Sequence, residues 1–275
     1  MTHLRPATRT ASAVAPLALW LALLACGCAL PPPRPRDEVT DTIRRRADNL
    51  RAFVADMHLR IRVDLDGKTE RLPSLGGTLA FDTAGPAMYM RATKFMHEIF
   101  TLRARGKRFS LRVPDRKENY VGGPTAYDRL PHLVRPQEVG AIFAGPGTLG
   151  LSWRNTTMTV EGRYYRFDVL VLGTLYRRVL IDRRDLTVRA IERYDAAGRK
   201  ILDVQLRDHQ QLGGTALARR LTVTRPLAGL TIDLRLGGLE LRDDVDLRLL
   251  NMATPPGWRE IDLDAPNEVP PLPGL

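Results

Sequence analysis

The sequence predicts an α+β fold that is mainly β. A curled antiparallel sheet of about 11–12 strands is capped by an N-terminal helix and a short central helix. Three observations carry this. Polar and apolar residues alternate over His58–Leu65 and Leu230–Leu236, as a strand with one wet face requires. Turn residues recur at short intervals: Asp66-Gly67, Ala84-Gly85-Pro86, Gly106-Lys107, Gly122-Gly123-Pro124, Gly173, Asp195 to Gly198, Gly213-Gly214. Helical periodicity is confined to an N-terminal and a central segment. A sheet this long must curl, and wrapping it around the helices buries its inner face as a barrel or half-barrel.

The chain opens with Arg5 and Arg9, an apolar run from Ala11 to Leu24, then Ala25-Cys26-Gly27-Cys28. A basic head, a short apolar middle and a small residue before a cut form a secretory signal. The run is too short for a permanent spanning helix. Both cysteines of the chain sit at this cut. Leu23-Leu24-Ala25-Cys26 resembles the lipobox of bacterial lipoproteins, which implies cleavage before Cys26 and acylation of its thiol. A second frame, Ala25-Cys26-Gly27-Cys28, puts the acyl chains on Cys28. The plainer alternative is an ordinary signal with two incidental cysteines. Gly27, or Ala29 in the second frame, stands where an aspartate would favour inner-membrane retention, so the resemblance implies the outer membrane, with the domain on its periplasmic face. The organisation is then a signal at 1–25, a lipidated cysteine and proline-rich linker at 26–37, a folded domain at 38–262 and a flexible proline-rich tail at 263–275.

Lys and Arg number 42 against 31 Asp and Glu, a net charge of +11. Removing the signal takes Arg5 and Arg9 and leaves +9 on 250 residues, enough for one sizeable core. Such a surface is either merely solvated or suited to anionic head groups and acidic glycans. Export disfavours nucleic acid. With no cysteine after Cys28, no disulfide can staple the domain.

Ala29 to Arg36 is a polyproline-type spacer, about 25 Å long at ~3.1 Å per residue. A helix follows from Glu38 to Asp56, on the stripe Val39, Ile43, Ala47, Leu50 and Val54, with Phe53 and Met57 widening it and Arg44-Arg45-Arg46 off it. Strands are expected at 58–65, 77–81, 87–91, 99–105, 108–113 and 118–121. Pro136 to Phe143 reads as the central helix, with Pro136 in its first turn. Strands resume at 156–161, 164–172, 174–181, 187–194, 200–208, 216–224 and 230–236. Leu239 to Leu250 permits a strand, or a short piece of each kind.

The order of these elements resembles the LolA/LolB group of periplasmic lipoprotein carriers and acceptors, from Arg44 to about Leu250. The motifs are a Gly-x-Leu-x-Phe strand (Gly77-Thr78-Leu79-Ala80-Phe81), a helix ending in Gly145-Pro146-Gly147, and the Asp195–Gly198 hairpin. The resemblance implies an unclosed half-barrel with an apolar hollow for acyl chains. It also implies a loop that projects an apolar residue toward the membrane, here Lys94, Phe95 and Met96. Those two apolar side chains either protrude or tuck into the core. Residues expected to line the hollow are Leu59, Ile61, Val63, Leu79, Phe81, Met88, Met90, Phe100, Leu102, Phe109 and Leu111. The same residues would serve a filled core, and periodicity does not separate the two. The anchor favours the acceptor over the soluble carrier, and the stretch after Leu239 has no counterpart in that pattern.

Catalytic signals are weak. The histidines after the signal, His58, His97, His132 and His209, have no metal-ligand spacing. No Gly-x-Ser-x-Gly elbow occurs, and Asp243, Asp244 and Asp246 read as a solvated turn. No enzyme activity, cofactor or metal is expected. The reading is a monomeric, lipid-anchored envelope protein that binds acyl chains or lipoproteins and helps localise them to the outer membrane. The alternative is a structural or assembly lipoprotein gripping a protein or glycan partner without lipid cargo.

Overall fold

Residues 30–65, 67–83, 85, 87–123, 126, 149–151 and 153–265 are described in the computed structural model. The first element, α1 (Arg36–Asp48), starts behind Pro35 with no side-chain cap. Asp37 and Glu38 in its first turn and Arg45 and Arg46 in its last complement the helix dipole. It ends eight residues earlier than the sequence expectation of Asp56. The apolar residues Phe53 and Met57 fit the helical stripe, but they also alternate with Ala55 and Leu59, and a strand begins at Ala52. Pairing on both sides of that strand outweighs local helical spacing.

The strands are β1 (Ala52–Leu65), β2 (Lys68–Arg71), β3 (Leu75–Asp82), β4 (Ala87–Lys94), β5 (His97–Arg105), β6 (Arg108–Val113), β7 (Glu118–Gly122), β8 (Thr156–Glu161), β9 (Tyr164–Val171), β10 (Thr174–Asp182), β11 (Val188–Tyr194), β12 (Lys200–Leu212), β13 (Thr215–Arg225), β14 (Leu230–Arg242) and β15 (Arg259–Asp262). They form one sheet in the order β15-β7-β6-β5-β4-β3-β1-β14-β13-β12-β11-β10-β9-β8, with β2 attached to β1. The edges β15 and β8 do not pair with each other, so the curled sheet is an unclosed half-barrel. Among the described residues the sheet has 15 strands, more than the expected 11–12. All four residues of β2 are exposed, so no burial alternation marks it, and β15 is only four residues long. The β15–β7 pairing is parallel, the exception in an otherwise antiparallel sheet.

Register makes one face of the sheet apolar from end to end. Ile61 pairs with Ile232, which pairs with Val223, then Val204, Ile191, Val179, Phe167 and Met158. On the other side of β1, Phe53–Phe81–Met88–Ala104–Phe109 make a second row. Paired residues share a face, so this face is continuous across the sheet. Helix α1 lies against it: Val39 and Ile43 are buried, and Arg46 donates to the backbone carbonyls of Asp185 (2.6 Å) and Leu186 (3.2 Å). Arg46 is therefore a clamp, whereas Arg44 and Arg45 are exposed.

Gly77 shows why the Gly-x-Leu-x-Phe motif needs its glycine. A Cβ there would stand 1.9 Å from the Arg91 carbonyl oxygen and 3.0 Å from Met57 Cε. The backbone of β4 approaches β3 where no side chain fits.

The stretch after Leu239 resolves into both kinds of structure. Strand β14 runs on to Arg242, and a 3₁₀ turn follows at Leu247–Leu250. The segment then straps the outer face of the sheet. Arg103 donates to the Leu249 carbonyl (2.9 Å), and Arg112 to the carbonyls of Asn251 (3.1 Å) and Ala253. Asn119 donates to Thr254 (2.6 Å). Beneath it Ala52, Ala80, Ala87, Tyr89, Val245 and Leu250 form a small second cluster. Order continues past 262: Leu263 is buried, and the Asp264 carboxylate accepts from the amides of Gly123 (2.6 Å) and Ala126 (2.9 Å). The chain from Arg34 onward is one compact unit. The signal, Cys26, the central helix Pro136–Phe143 with its Gly145-Pro146-Gly147, and the tail after Ala265 lie outside the described residues.

Candidate functional site

The β4–β5 hairpin closes in two residues, Phe95 and Met96, both with positive φ (48° and 68°). That is a type I′ turn, whose twist matches the flanking strands and which normally uses Asn-Gly. A bulky L-residue in this region is strained by about 1–2 kcal/mol. Phe95 is nevertheless 86% exposed and Met96 98% exposed, so no packing offsets the strain. Two large apolar side chains therefore stand out from the body, where the sequence left them able to pack inward. Lys94 Nζ sits 5.6 Å from the Phe95 ring centroid, a cation–π contact at the base of the tip. His97, opposite Lys94 in the ladder, is exposed as well.

The eleven residues expected to line a hollow all point to the concave face, because their registers link them in rows. Leu111–Leu102–Met90–Leu79 is one such row, and Ile61 and Val63 continue the face along β1. Leu59, Leu79, Phe81, Met88, Leu102 and Phe109 are buried in the main core. Ile61, Val63, Met90, Phe100 and Leu111 keep part of their surface open. Two clefts lie among the described residues. One, about 60 Å³, lies between α1 and the sheet, lined by Ile43, Ala47, Leu206, Leu217 and His209 among others. The other, about 450 Å³, lies at the root of the β1–β2 hairpin, lined by Arg60, Ile61, Arg62, Arg71, Leu72, Ser74 and Asp233. Of the eleven residues only Ile61 lines either.

Solved structures share this arrangement, among them three that match most of the chain. One is a LolA superfamily protein from Nitrosomonas europaea, 10% identical, covering 80% of this chain and 98% of that one, with a TM-score of 0.52. Another is an outer membrane lipoprotein-sorting protein domain from Vibrio parahaemolyticus, 11% identical over 79% and 97%, with a TM-score of 0.55. The fold is LolA-like. A DUF1329 family protein from Desulfovibrio piger is similar to the same degree, 11% identical over 80% and 98%, with a TM-score of 0.55. No family model matches the sequence, and no curated protein does. Identities this low carry the architecture and leave the chemistry to this chain's own residues.

Within the LolA-like sheet, two buried or half-buried polar groups are held by their own neighbours. Asp182 has no exposed side-chain surface and is held by Arg163 (2.6 Å), Arg189 (3.2 Å) and the Arg184 amide (3.0 Å). Burial opposes its charge, but the Arg163 hydrogen bond, the Arg184 amide and the nearby guanidinium charges together hold its carboxyl below the usual carboxylate range. His209 faces the small cleft. Its Nε2 lies 3.0 Å from the Val188 carbonyl and its Nδ1 3.2 Å from Arg189 Nη1. Arg189 can only donate, so Nε2 carries the proton and the ring is neutral. Burial first, and then the Arg189 charge, push the His209 pKa down. His58 lies on the convex face of β1, and His132 lies outside the described residues.

Sequence reading missed a second exposed apolar corner. Leu172, at the tip of the β9–β10 hairpin, is fully exposed with φ 51°, followed by Gly173 with φ 78°. Val171 and Trp153 are each 43% exposed. The signal was available: Leu172 interrupts an alternating strand just before a turn glycine, where a polar residue is usual.

Proposed function

We propose that this protein is a lipid-anchored envelope protein that takes up acyl chains or lipoproteins on its concave apolar face and presents them at the outer membrane through the Phe95–Met96 tip. The observation that carries this is the tip itself. An exposed, strained turn with a lysine beside the aromatic contributes nothing to packing and suits the membrane interface, where an apolar body and a charged base find different layers. The mechanism is physical. The curled sheet shields chains from water, the open concave positions Met90, Phe100 and Leu111 admit them, and no bond is made or broken. Acylation at Cys26 holds the domain near the lipid: two or three chains at ~0.8 kcal/mol per methylene anchor firmly where one does not. The Vibrio domain described as lipoprotein-sorting has the same architecture, which is consistent with this role.

Two experiments test it. Native mass spectrometry of the protein purified from membranes should detect acyl species beyond the N-terminal modification. The Phe95→Glu variant should keep its fold and lose delivery of a radiolabelled lipoprotein to vesicles. A clean mass together with unchanged delivery refutes the reading and favours a scaffold that grips a protein or glycan.

A further inference from the structure

Strand order and register fix where the exposed tips lie relative to one another. In the antiparallel sheet the turns β1–β2, β4–β5, β9–β10 and β13–β14 all fall at the same end of the strands. Measured along the strands, the Leu172 tip stands about six residues beyond the Phe95 tip, over the intervening strand-to-strand steps. At the other end, the β10–β11 turn is offset from the β3–β4 turn in the same sense and by about as much. Equal offset at both ends is the stagger of strands tilted in a barrel wall. The tips therefore share one rim.

That rim is apolar at two corners; between them Leu227 stands singly exposed on the β13–β14 turn (59%) and three arginines line the cleft at the root of the β1–β2 hairpin. One corner is Phe95 and Met96 over Lys94. The other is Leu172 with Val171 and Trp153. The two sides of the second corner are joined: the Leu170 amide donates to the Asn155 carbonyl (3.0 Å), and Asn155 Nδ2 donates back to Leu170. Arg154, exposed, stands in the same loop. Between the corners lies the cleft with Arg60, Arg62 and Arg71, in which Asp233 pairs with Arg62 (3.3 Å) and accepts from Thr222 Oγ1 (2.8 Å). The β1–β2 hairpin beside it is polar and carries both signs.

We infer that this whole rim is a two-point membrane-docking surface, with the Trp153–Val171–Leu172 corner as a second insertion point and the arginine cleft receiving anionic head groups. The inference rests on the Phe95–Met96 reading above and extends it. Three observations single out a lipid surface as the occupant. The apolar groups stand on separate turns with cations between them, whereas a protein partner is met by one contiguous desolvated patch. Leu172, like Phe95 and Met96, occupies a positive-φ position where a smaller polar residue would be relaxed, so each corner trades turn stability for an exposed apolar side chain. The domain also begins beside the second corner: the Arg34 amide donates to Tyr165 Oη (2.6 Å), and Arg36 donates to the carbonyls of Leu151 (2.9 Å) and Trp153 (2.7 Å). A tether from Cys26 to Arg34 reaches about 25 Å, so an anchor there keeps this edge beside the bilayer. Two contacts fix the tilt of the half-barrel as one contact cannot, which would turn its concave face toward the lipid in a defined way.

The test uses the mature protein purified from membranes with Cys28→Ala, carrying one added cysteine at a time: Phe95→Cys, Leu172→Cys or Lys107→Cys. Lys107 is exposed on the β5–β6 turn at the opposite end. Each is labelled with an environment-sensitive fluorophore and reconstituted in phosphatidylethanolamine–phosphatidylglycerol vesicles with brominated chains, the parent without added cysteine giving the background. Quenching several-fold greater at 95 and 172 than at 107 is expected, weakening when phosphatidylglycerol is replaced by phosphatidylcholine. Quenching at 95 without quenching at 172 overturns the second corner and leaves the proposed function intact. No quenching at 95 overturns both. Leu172→Asn supplies an independent measurement, because Asn-Gly suits this turn and the fold is retained. It should lower quenching at position 95 at least twofold, and an unchanged value overturns two-point docking.

Discussion

Replacing Phe95 by Asn and Met96 by Gly should make the domain more stable and less able to bind membrane. Both residues sit in the left-handed region, at φ 48° and 68°. The strain there is about 1–2 kcal/mol for each bulky L-residue. Glycine relieves all of it and asparagine a part. Little is lost in exchange: at 86% and 98% exposure neither side chain packs, and the exposed Lys94–Phe95 contact contributes about 0.5–1 kcal/mol. The net gain is roughly 1–2 kcal/mol, which for a domain of this size raises Tm by about 5 °C. Membrane binding moves the other way. Full burial of a Phe or Met side chain contributes about 1.5–3 kcal/mol, so losing both should weaken partitioning by at least about a hundredfold. Thermal unfolding by circular dichroism and flotation with phosphatidylethanolamine–phosphatidylglycerol vesicles read the two quantities separately. A lower Tm would mean that the tip is packed and unstrained, and unchanged flotation would mean that it does not meet lipid. Either result refutes the argument.

Three further outcomes are expected. Gly77→Ala should destabilise the domain by more than about 3 kcal/mol in urea unfolding, since the new methyl meets a backbone oxygen that cannot swing aside. Asp182→Asn should cost roughly 3 kcal/mol by the same measurement, because Arg163 and Arg189 lose the charge that gathers them. His209 has its folded pKa pushed below the unfolded value. Its contribution to stability is therefore complete above about pH 6.5 and is lost as pH falls through the folded pKa. His209→Gln should flatten the stability profile between about pH 7 and 5, and an identical slope in both proteins would exclude the histidine as its source.

Legibility in the sequence followed the strength of local alternation. The strands 108–113 and 156–161 were read to the residue because each is bounded by turn residues and half-wetted along its length. The helix was drawn too long because Phe53 and Met57 satisfy both a period near 3.6 and a period of two. Strand β2 left no trace, being exposed at every position, and β15 is recruited by β7 and not by its own composition. The eleven concave residues could be named from alternation alone, since parity fixes the face. How far each is buried depends on strands distant in the chain.

The order of residues alone determined a one-sided antiparallel sheet of this length, its obligatory curl, its cysteine-free body and the apolar pair behind Lys94. These follow from period, composition and turn chemistry, all local properties. Only the tertiary structure decided that Phe95 and Met96 point outward, that Leu172 and Trp153 form a second corner on the same rim, and that the segment after Leu239 straps the convex face. The outward turn depends on the register of the β4–β5 hairpin. The shared rim and the strap depend instead on the β1–β14 pairing and on contacts such as Arg103 to Leu249, between segments more than a hundred residues apart that leave no mark in any short window of sequence.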